Sequence, residues 1–178
     1  MKREMRRYFK ALRDRISEYE RETWNEEIRK KLFNLDKFRN ASEIFTYLSK
    51  NDEVDTRKII EKSWKMGKKV YIPKITEDRK MIPVLLESFN DLTYGLYDIE
   101  TSKNRKTSNK IEISLVPGLS FDKNRHRIGY GGGFYDKFIK DNESFYIGLF
   151  YDISESFNLN LDPLDEKLDM IISDKKII

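Results

Sequence analysis

The chain has no cysteine and only one histidine, His126, among its 178 residues. The first absence excludes disulfide scaffolds, thiolate zinc sites, iron–sulfur clusters and cysteine nucleophiles together. The second argues against histidine-rich metal sites and makes a Ser-His-Asp triad a poor candidate. No stretch approaches the roughly 18 apolar residues of a membrane span. Met1, Lys2 and Arg3 are followed by more charge instead of an apolar signal core, so no membrane association and a cytoplasmic location are expected. What is there is charge: 37% of residues are charged, 38% hydrophobic and 13% aromatic, with a net charge of +4. At roughly 150 residues per domain the length predicts one domain over 1–178, large enough to bury about 70% of its unfolded surface without a disulfide or structural metal.

The basic excess is concentrated at the start, where residues 1–15 hold seven Lys/Arg against Glu4 and Asp14. Met5, Tyr8, Phe9, Leu12, Ile16 and Tyr19 recur at three- and four-residue steps, which predicts a first helix docked on a core by that stripe. Thr23 to Glu26 reads as a capping box opening a second helix with Trp24, Ile28 and Leu32 inward. Residues 43–48 have strand composition. Asp55 and Thr56 can cap a helix that carries Ile59, Ile60, Trp64 and Met66 inward and ends at Gly67. With a strand over 69–73, residues 43–73 form a β-α-β unit, hence a parallel pair. Further strands are expected over 81–86, 111–116 and 144–150 and from Met170, a helix over 134–141, and a polar surface loop over 101–110. Strands alternating with helices predict a single α/β layered domain.

Four of the eight glycines fall within positions 129–133, after a strand and before a helix. Such a cluster indicates either positive φ or close approach of a ligand, and it aims backbone N–H groups and a helix N-terminus at an anion. The loop is neither a Walker A sequence nor a G-x-G-x-x-G fingerprint. A merely tight or flexible connection is the alternative. Arg127 before the cluster can pair with phosphate oxygens, and Asp136 after it can hold Mg²⁺ against them.

The runs Pro117-Gly-Leu-Ser-Phe-Asp122 and Arg127-Ile-Gly-Tyr-Gly-Gly-Gly-Phe-Tyr-Asp136 strongly resemble the signature of the 5-formyltetrahydrofolate cyclo-ligase family. Lys2 and Arg6 match the family's opening basic pair, residues 47–56 its substrate segment, and residues 165–172 its last carboxylate and strand. The chain departs from the family pattern at Arg125, where a glycine is usual, at Glu100-Thr101, where Glu-Pro is usual, and at Ser154, where a glutamine is usual nearby.

The resemblance implies a three-layer α/β/α fold with a mostly parallel sheet, like the NagB/RpiA/CoA-transferase group. It also implies the reaction: ATP and 5-formyltetrahydrofolate give 5,10-methenyltetrahydrofolate, ADP and phosphate, with Mg²⁺. The formyl oxygen is a poor leaving group until phosphorylated. N10 then closes the ring on the iminium phosphate, and the protein's part is positioning and charge neutralisation. For ATP the implied residues are Lys2, Arg3, Glu4, Met5, Arg6 and the run Arg127, Ile128, Gly129, Tyr130, Gly131, Gly132, Gly133, Phe134 and Tyr135. For folate they are Leu48, Glu53 and Tyr130 to Phe134. Arg127 and Tyr135 are assigned to the chemistry, and Asp136 and Asp169 to the metal. His126 lies at a variable position and is read as a loop residue. A small-molecule enzyme acting as a monomer, without nucleic acid, is expected. Two other readings are a paralogue using ATP on another one-carbon or thiamine-related compound, and a basic nucleic-acid-binding protein whose binding would collapse with salt.

Overall fold

The computed structural model describes residues 1–50, 52–157, 159 and 161–178, beginning with helices α1 (Lys2–Arg13), α2 (Glu18–Asn34) and α3 (Asp36–Asn40). Strand β1 (Glu43–Phe45), helix α4 (Arg57–Lys65), β2 (Lys69–Ile75) and β3 (Met81–Leu86) follow. A small ribbon, β4 (Leu92–Tyr94) and β5 (Glu100–Ser102), precedes β6 (Ile113–Val116), and a second ribbon, β7 (Ser120–Phe121) and β8 (Arg127–Ile128), follows it. Helix α5 (Phe134–Asp141), β9 (Phe145–Phe150) and β10 (Met170–Ser173) complete the chain.

Six strands form one sheet in the order β10-β9-β6-β1-β2-β3. Every pairing is parallel except that of β3 with β2. Successive strand residues point to opposite faces, and both faces are apolar. Ile44, Val70, Ile72, Leu115 and Ile172 enter a core with Ile28 and Leu32 of α2, Phe38 of α3, and Ile59 and Ile60 of α4. Their neighbours Phe45, Tyr71, Val116 and Ile171 enter a second core with Phe138 of α5. Phe45 stacks on Phe138 at 4.7 Å between ring centroids. The sheet is thus sandwiched between helices, the expected α/β architecture.

The two crossovers decide where a ligand can sit. From β1 the chain passes through α4 to β2, and from β6 through α5 to β9, over opposite faces of the sheet. The carboxyl ends of the adjacent strands β1 and β6 are therefore left uncovered, where open α/β sheets bind their ligands.

Several expectations are corrected. Helix α2 starts earlier than predicted: Ser17 and Glu20 form the capping box, each accepting the other's backbone N–H at 3.2 and 3.0 Å, while Thr23 lies inside the helix and bonds back to the Tyr19 carbonyl. Trp24, Ile28 and Leu32 do face inward. The predicted apolar stripe is only partly the docked face: Phe9 of α1 and Ile16 after it are buried, whereas Tyr8 of α1 and Tyr19, which belongs to α2, are 62% and 82% exposed. The polar stretch over 101–110 is partly ordered pairing, with β5 entering it and Thr107 bridging to Val84. Gly67 ends α4 at φ +76° as expected.

The β7–β8 turn accounts for one departure from the family pattern. Asp122 Oδ1 accepts from the backbone of Asn124 and His126 at 2.9 and 3.0 Å, which folds the turn and leaves Arg125 at φ +68°. An L side chain pays a steric cost there that glycine does not, roughly 1–2 kcal/mol. Arg125→Gly is therefore expected to raise unfolding stability by about 0.5–1 kcal/mol after allowance for glycine's greater unfolded-state freedom. Urea titrations of both proteins with unchanged m-values would check this.

Candidate functional site

The cleft at the switch point encloses about 1200 Å³. This exceeds the roughly 300–1,000 Å³ of a pocket for one small molecule and leaves room for two ligands side by side. Lys2 and Arg6 from α1, Leu48 and Glu53 from the segment after β1, and every residue from Arg127 to Asp136 line it. Asn51, inside the predicted substrate segment, lies outside the described residues.

Lys2, Arg6, Phe9 and Arg13 of α1, spaced four, three and four apart, share one face, on which Lys2 and Arg6 line the cleft while Phe9 and Arg13 are buried. Lys2 Nζ bonds Asp162 Oδ2 at 2.5 Å and also pairs with Asp165. Arg6 Nε donates to the Gly129 carbonyl at 2.9 Å. Three cations of the basic helix thus turn inward instead of forming a solvated patch. Arg3, Glu4 and Met5 do not line the cleft. The resemblance marked the whole turn, and only its first and last residues have the right face.

The glycine loop bends round these cations. Gly131 takes φ +101°, and a Cβ there would come within 3.2 Å of the Arg6 guanidinium carbon. Gly133 caps α5 at φ +70° without a side-chain cap, so the first-turn N–H groups carry no side-chain acceptor. Loop, helix terminus, Lys2 and Arg6 together present positive potential to one end of the cleft, as phosphate binding requires.

Arg127 stands behind the loop on β8. Its Nη1 donates to Asp136 Oδ1 at 2.8 Å and to the Glu166 carbonyl at 3.4 Å, while its Nε is buried with no hydrogen-bond partner. A buried guanidinium donor left open beside the glycine loop fits an anionic ligand. Burial raises the Tyr135 hydroxyl far above its ordinary pKa, with Glu53 adding to the rise and Arg127 opposing it. Tyr135 is therefore a proton donor in hydrogen bonds here and no base.

For the metal the structure divides the two predicted acids. Asp136 lines the cleft, and both of its hydrogen bonds, from Arg127 and from Glu166 N at 3.2 Å, fall on Oδ1. Asp169 does not line the cleft; its Oδ2 accepts from Tyr146 N at 2.8 Å beside β9. The late carboxylates that do reach the cleft are Asp162 and the more buried Asp165, neither of which the sequence reading assigned to the metal. Burial pushes the Asp165 pKa up, but the Lys2 ammonium and the Asp162 N–H outweigh that and hold it below the usual range. Carboxylates such as Asp136 and Asp165 lining one cleft are the donor type a hard oxygen-seeking cation takes. Among the described residues no group of three His, Asp or Glu is arranged for a metal, so such an ion would draw other ligands from phosphate and water.

At the other end, Leu48, Met81, Ile99 and Tyr94 supply apolar surface beside the Glu53 carboxylate. The β4–β5 ribbon, unreadable beforehand, contributes Tyr94, Asp98, Ile99 and Glu100. Of the remaining departures from the family pattern, Thr101 is a buried residue of β5 in this ribbon, and Ser154 is buried away from the cleft with its backbone carbonyl accepting from Ser120. His126 faces Asp122 at 3.4 Å and does not line the cleft either.

Burial raises the Glu53 pKa, only partly offset by the Lys50 N–H, Tyr130 and Arg13. An acid whose folded pKa is raised binds more protons folded than unfolded, so stability falls as pH climbs from the unfolded value through the folded one. Glu53→Gln is expected to melt higher than the parent at pH 7, with the difference vanishing below about pH 4. If Glu53 receives a folate N–H, the same variant should raise the KM for folate about 10- to 100-fold, the loss of one charged hydrogen bond.

Among the described residues no helix is long and apolar enough to cross a membrane. The 5-formyltetrahydrofolate cyclo-ligase family model matches residues 1–174. A 5-formyltetrahydrofolate cyclo-ligase of Haemophilus influenzae is 26% identical over 174 residues, covering 93% of each chain. A probable 5-formyltetrahydrofolate cyclo-ligase of Caenorhabditis elegans is 27% identical over 148 residues, covering 78% of this chain and 72% of that one. Among solved structures, the 5,10-methenyltetrahydrofolate synthetase of Aquifex aeolicus superposes with a TM-score of 0.89 at 25% identity, over 99% of this chain and 91% of the other. With a family model spanning nearly every residue and a matching fold, the chain belongs to the 5-formyltetrahydrofolate cyclo-ligase family.

Proposed function

We infer that this protein uses ATP to convert 5-formyltetrahydrofolate to 5,10-methenyltetrahydrofolate, releasing ADP and phosphate. The observation that carries this is a single cleft with a phosphate-type cradle at one end, Lys2, Arg6, Arg127 and Gly129 to Gly133, and apolar surface beside Glu53 at the other. Two ligands so placed can meet between Tyr130 and Phe134.

Glu53 and Leu48 orient the pterin, and Phe134 and Tyr130 give its ring system flat surfaces. The cradle aligns the γ-phosphoryl group with the formyl oxygen. Transfer breaks the bond from the γ-phosphorus to the ADP oxygen and forms one to the formyl oxygen, which turns the formamide into an iminium phosphate. The N10 lone pair then attacks the formyl carbon, phosphate leaves with the oxygen, and the N10 proton is lost. Arg127 neutralises charge that grows on the phosphoryl oxygens, and the protonated Tyr135 donates without taking a proton. Mg²⁺, held by Asp136 and Asp165, would neutralise the triphosphate.

The test is the ultraviolet absorbance of methenyltetrahydrofolate when the protein meets 5-formyltetrahydrofolate, ATP and Mg²⁺, each omitted in turn. Growth that needs all three supports the reading. A folded protein that binds ATP yet gives no signal overturns the substrate assignment.

A further inference from the structure

Arg13 is the most buried cation of α1, 3% exposed, and does not line the cleft, yet its guanidinium joins three parts of the cleft wall. Nη1 donates to the Gly118 carbonyl at 2.6 Å, just after β6. Nη2 donates to Asp52 Oδ2 at 2.9 Å, in the segment after β1. The same Nη2 donates to the Tyr130 hydroxyl oxygen at 2.7 Å, in the glycine loop. That hydroxyl accepts from Arg13, and the Glu53 carboxylate is near enough to add to the rise that burial causes in its pKa. The ring of Tyr130 remains 49% exposed in the cleft, so its tip is fixed from behind while its face stays open to a ligand.

We propose that Arg13 is a positioning residue that couples the two halves of the site, tying the nucleotide loop to the folate segment through Tyr130 and Asp52. The proposal rests on the reading of the cleft given above. A nucleotide that orders the glycine loop fixes Tyr130, which shares the Arg13 Nη2 with Asp52, the residue before Glu53. A folate held by Glu53 does the same in the opposite direction. The two ligands then strengthen each other's binding by one common factor, as linkage requires. A guanidinium suits this place because its planar fork reaches three acceptors at once, which a lysine ammonium on a flexible stem does not reproduce.

The experiment is calorimetric titration of the non-hydrolysable β,γ-imido analogue of ATP with Mg²⁺, alone and with saturating 5-formyltetrahydrofolate, and the reverse titration. The parent should show the same enhancement both ways, about tenfold, within the roughly 5- to 150-fold range of such couplings. Arg13→Lys and, separately, Tyr130→Phe should bring that factor below about twofold while each ligand alone still binds. Tyr130→Phe removes one oxygen from a half-exposed ring and carries the test should Arg13→Lys fold poorly. A parent factor near one, or variants that lower stability or both affinities but keep the factor, overturns the coupling and leaves Arg13 a structural tie. Failure of the parent to bind either ligand overturns the functional reading itself, a result distinct from both.

Discussion

Arg127→Ala is expected to lower kcat/KM for ATP-dependent ring closure by about 10²- to 10³-fold, the usual cost of removing one group aimed at transition-state charge. The residue is suited to that effect because its guanidinium does not have to be ordered when the phosphoryl group arrives. Its side chain is 2% exposed, braced by Asp136 and the Glu166 carbonyl, and its Nε is already desolvated without a partner. Lysine at this position keeps the charge but cannot hold Asp136 and Glu166 together, so Arg127→Lys should recover little of the loss. Steady-state kinetics separate this from weaker binding: a transition-state role lowers kcat and kcat/KM together, whereas a rise in KM at constant kcat would assign Arg127 to ground-state ATP binding alone. Stability should fall too, because Asp136 is left without its cation, and thermal melts at matched pH would record that part separately.

What could be read beforehand followed from periodicity and turn chemistry. Ile59 and Ile60 on one helix face, Gly67 at its end and the strand read over 69–73 sufficed for the parallel unit, because each is a local signal that packing reinforced. The bounds of α5 were legible for the same reason. Helix α1 was read only in part because its docked face carries Lys2, Arg6 and Arg13 beside the expected Phe9. A rule that equates inward with apolar cannot find cations that face a cleft or a buried carboxylate. The β4–β5 ribbon escaped because three-residue strands are too short for alternation to show, and its turn runs through positive φ at Tyr97 and Asp98. Arg13 escaped entirely. Its partners Asp52, Gly118 and Tyr130 lie 39, 105 and 117 residues away, and only the closed fold brings them together.

The choice between Asp165 and Asp169 has the same origin and leads to the second large effect. The two acids are four apart in a segment without helical structure, so spacing alone says nothing of where either points. The chain path decides: Leu168 N bonds the Arg125 carbonyl, and Asp169 N bonds the Tyr146 carbonyl, which carries Asp169 to the start of β10 while Asp165 stays with Lys2 at the cleft. Asp165→Asn is therefore expected to raise the Mg²⁺ concentration for half-maximal turnover at least about tenfold, since loss even of a group behind a metal ligand costs that much. Asp169→Asn should leave the Mg²⁺ titration in place and lower the melting temperature instead, through the bond to Tyr146 N. Lys2→Met is the control for the ion pair. It removes the partner of Asp165 and a cradle cation, so it should raise the KM for ATP without a comparable shift in the Mg²⁺ requirement. If Asp165→Asn titrates like the parent while Asp169→Asn does not, the metal lies at β10 and the cleft carboxylates serve only to hold Lys2 and Arg127.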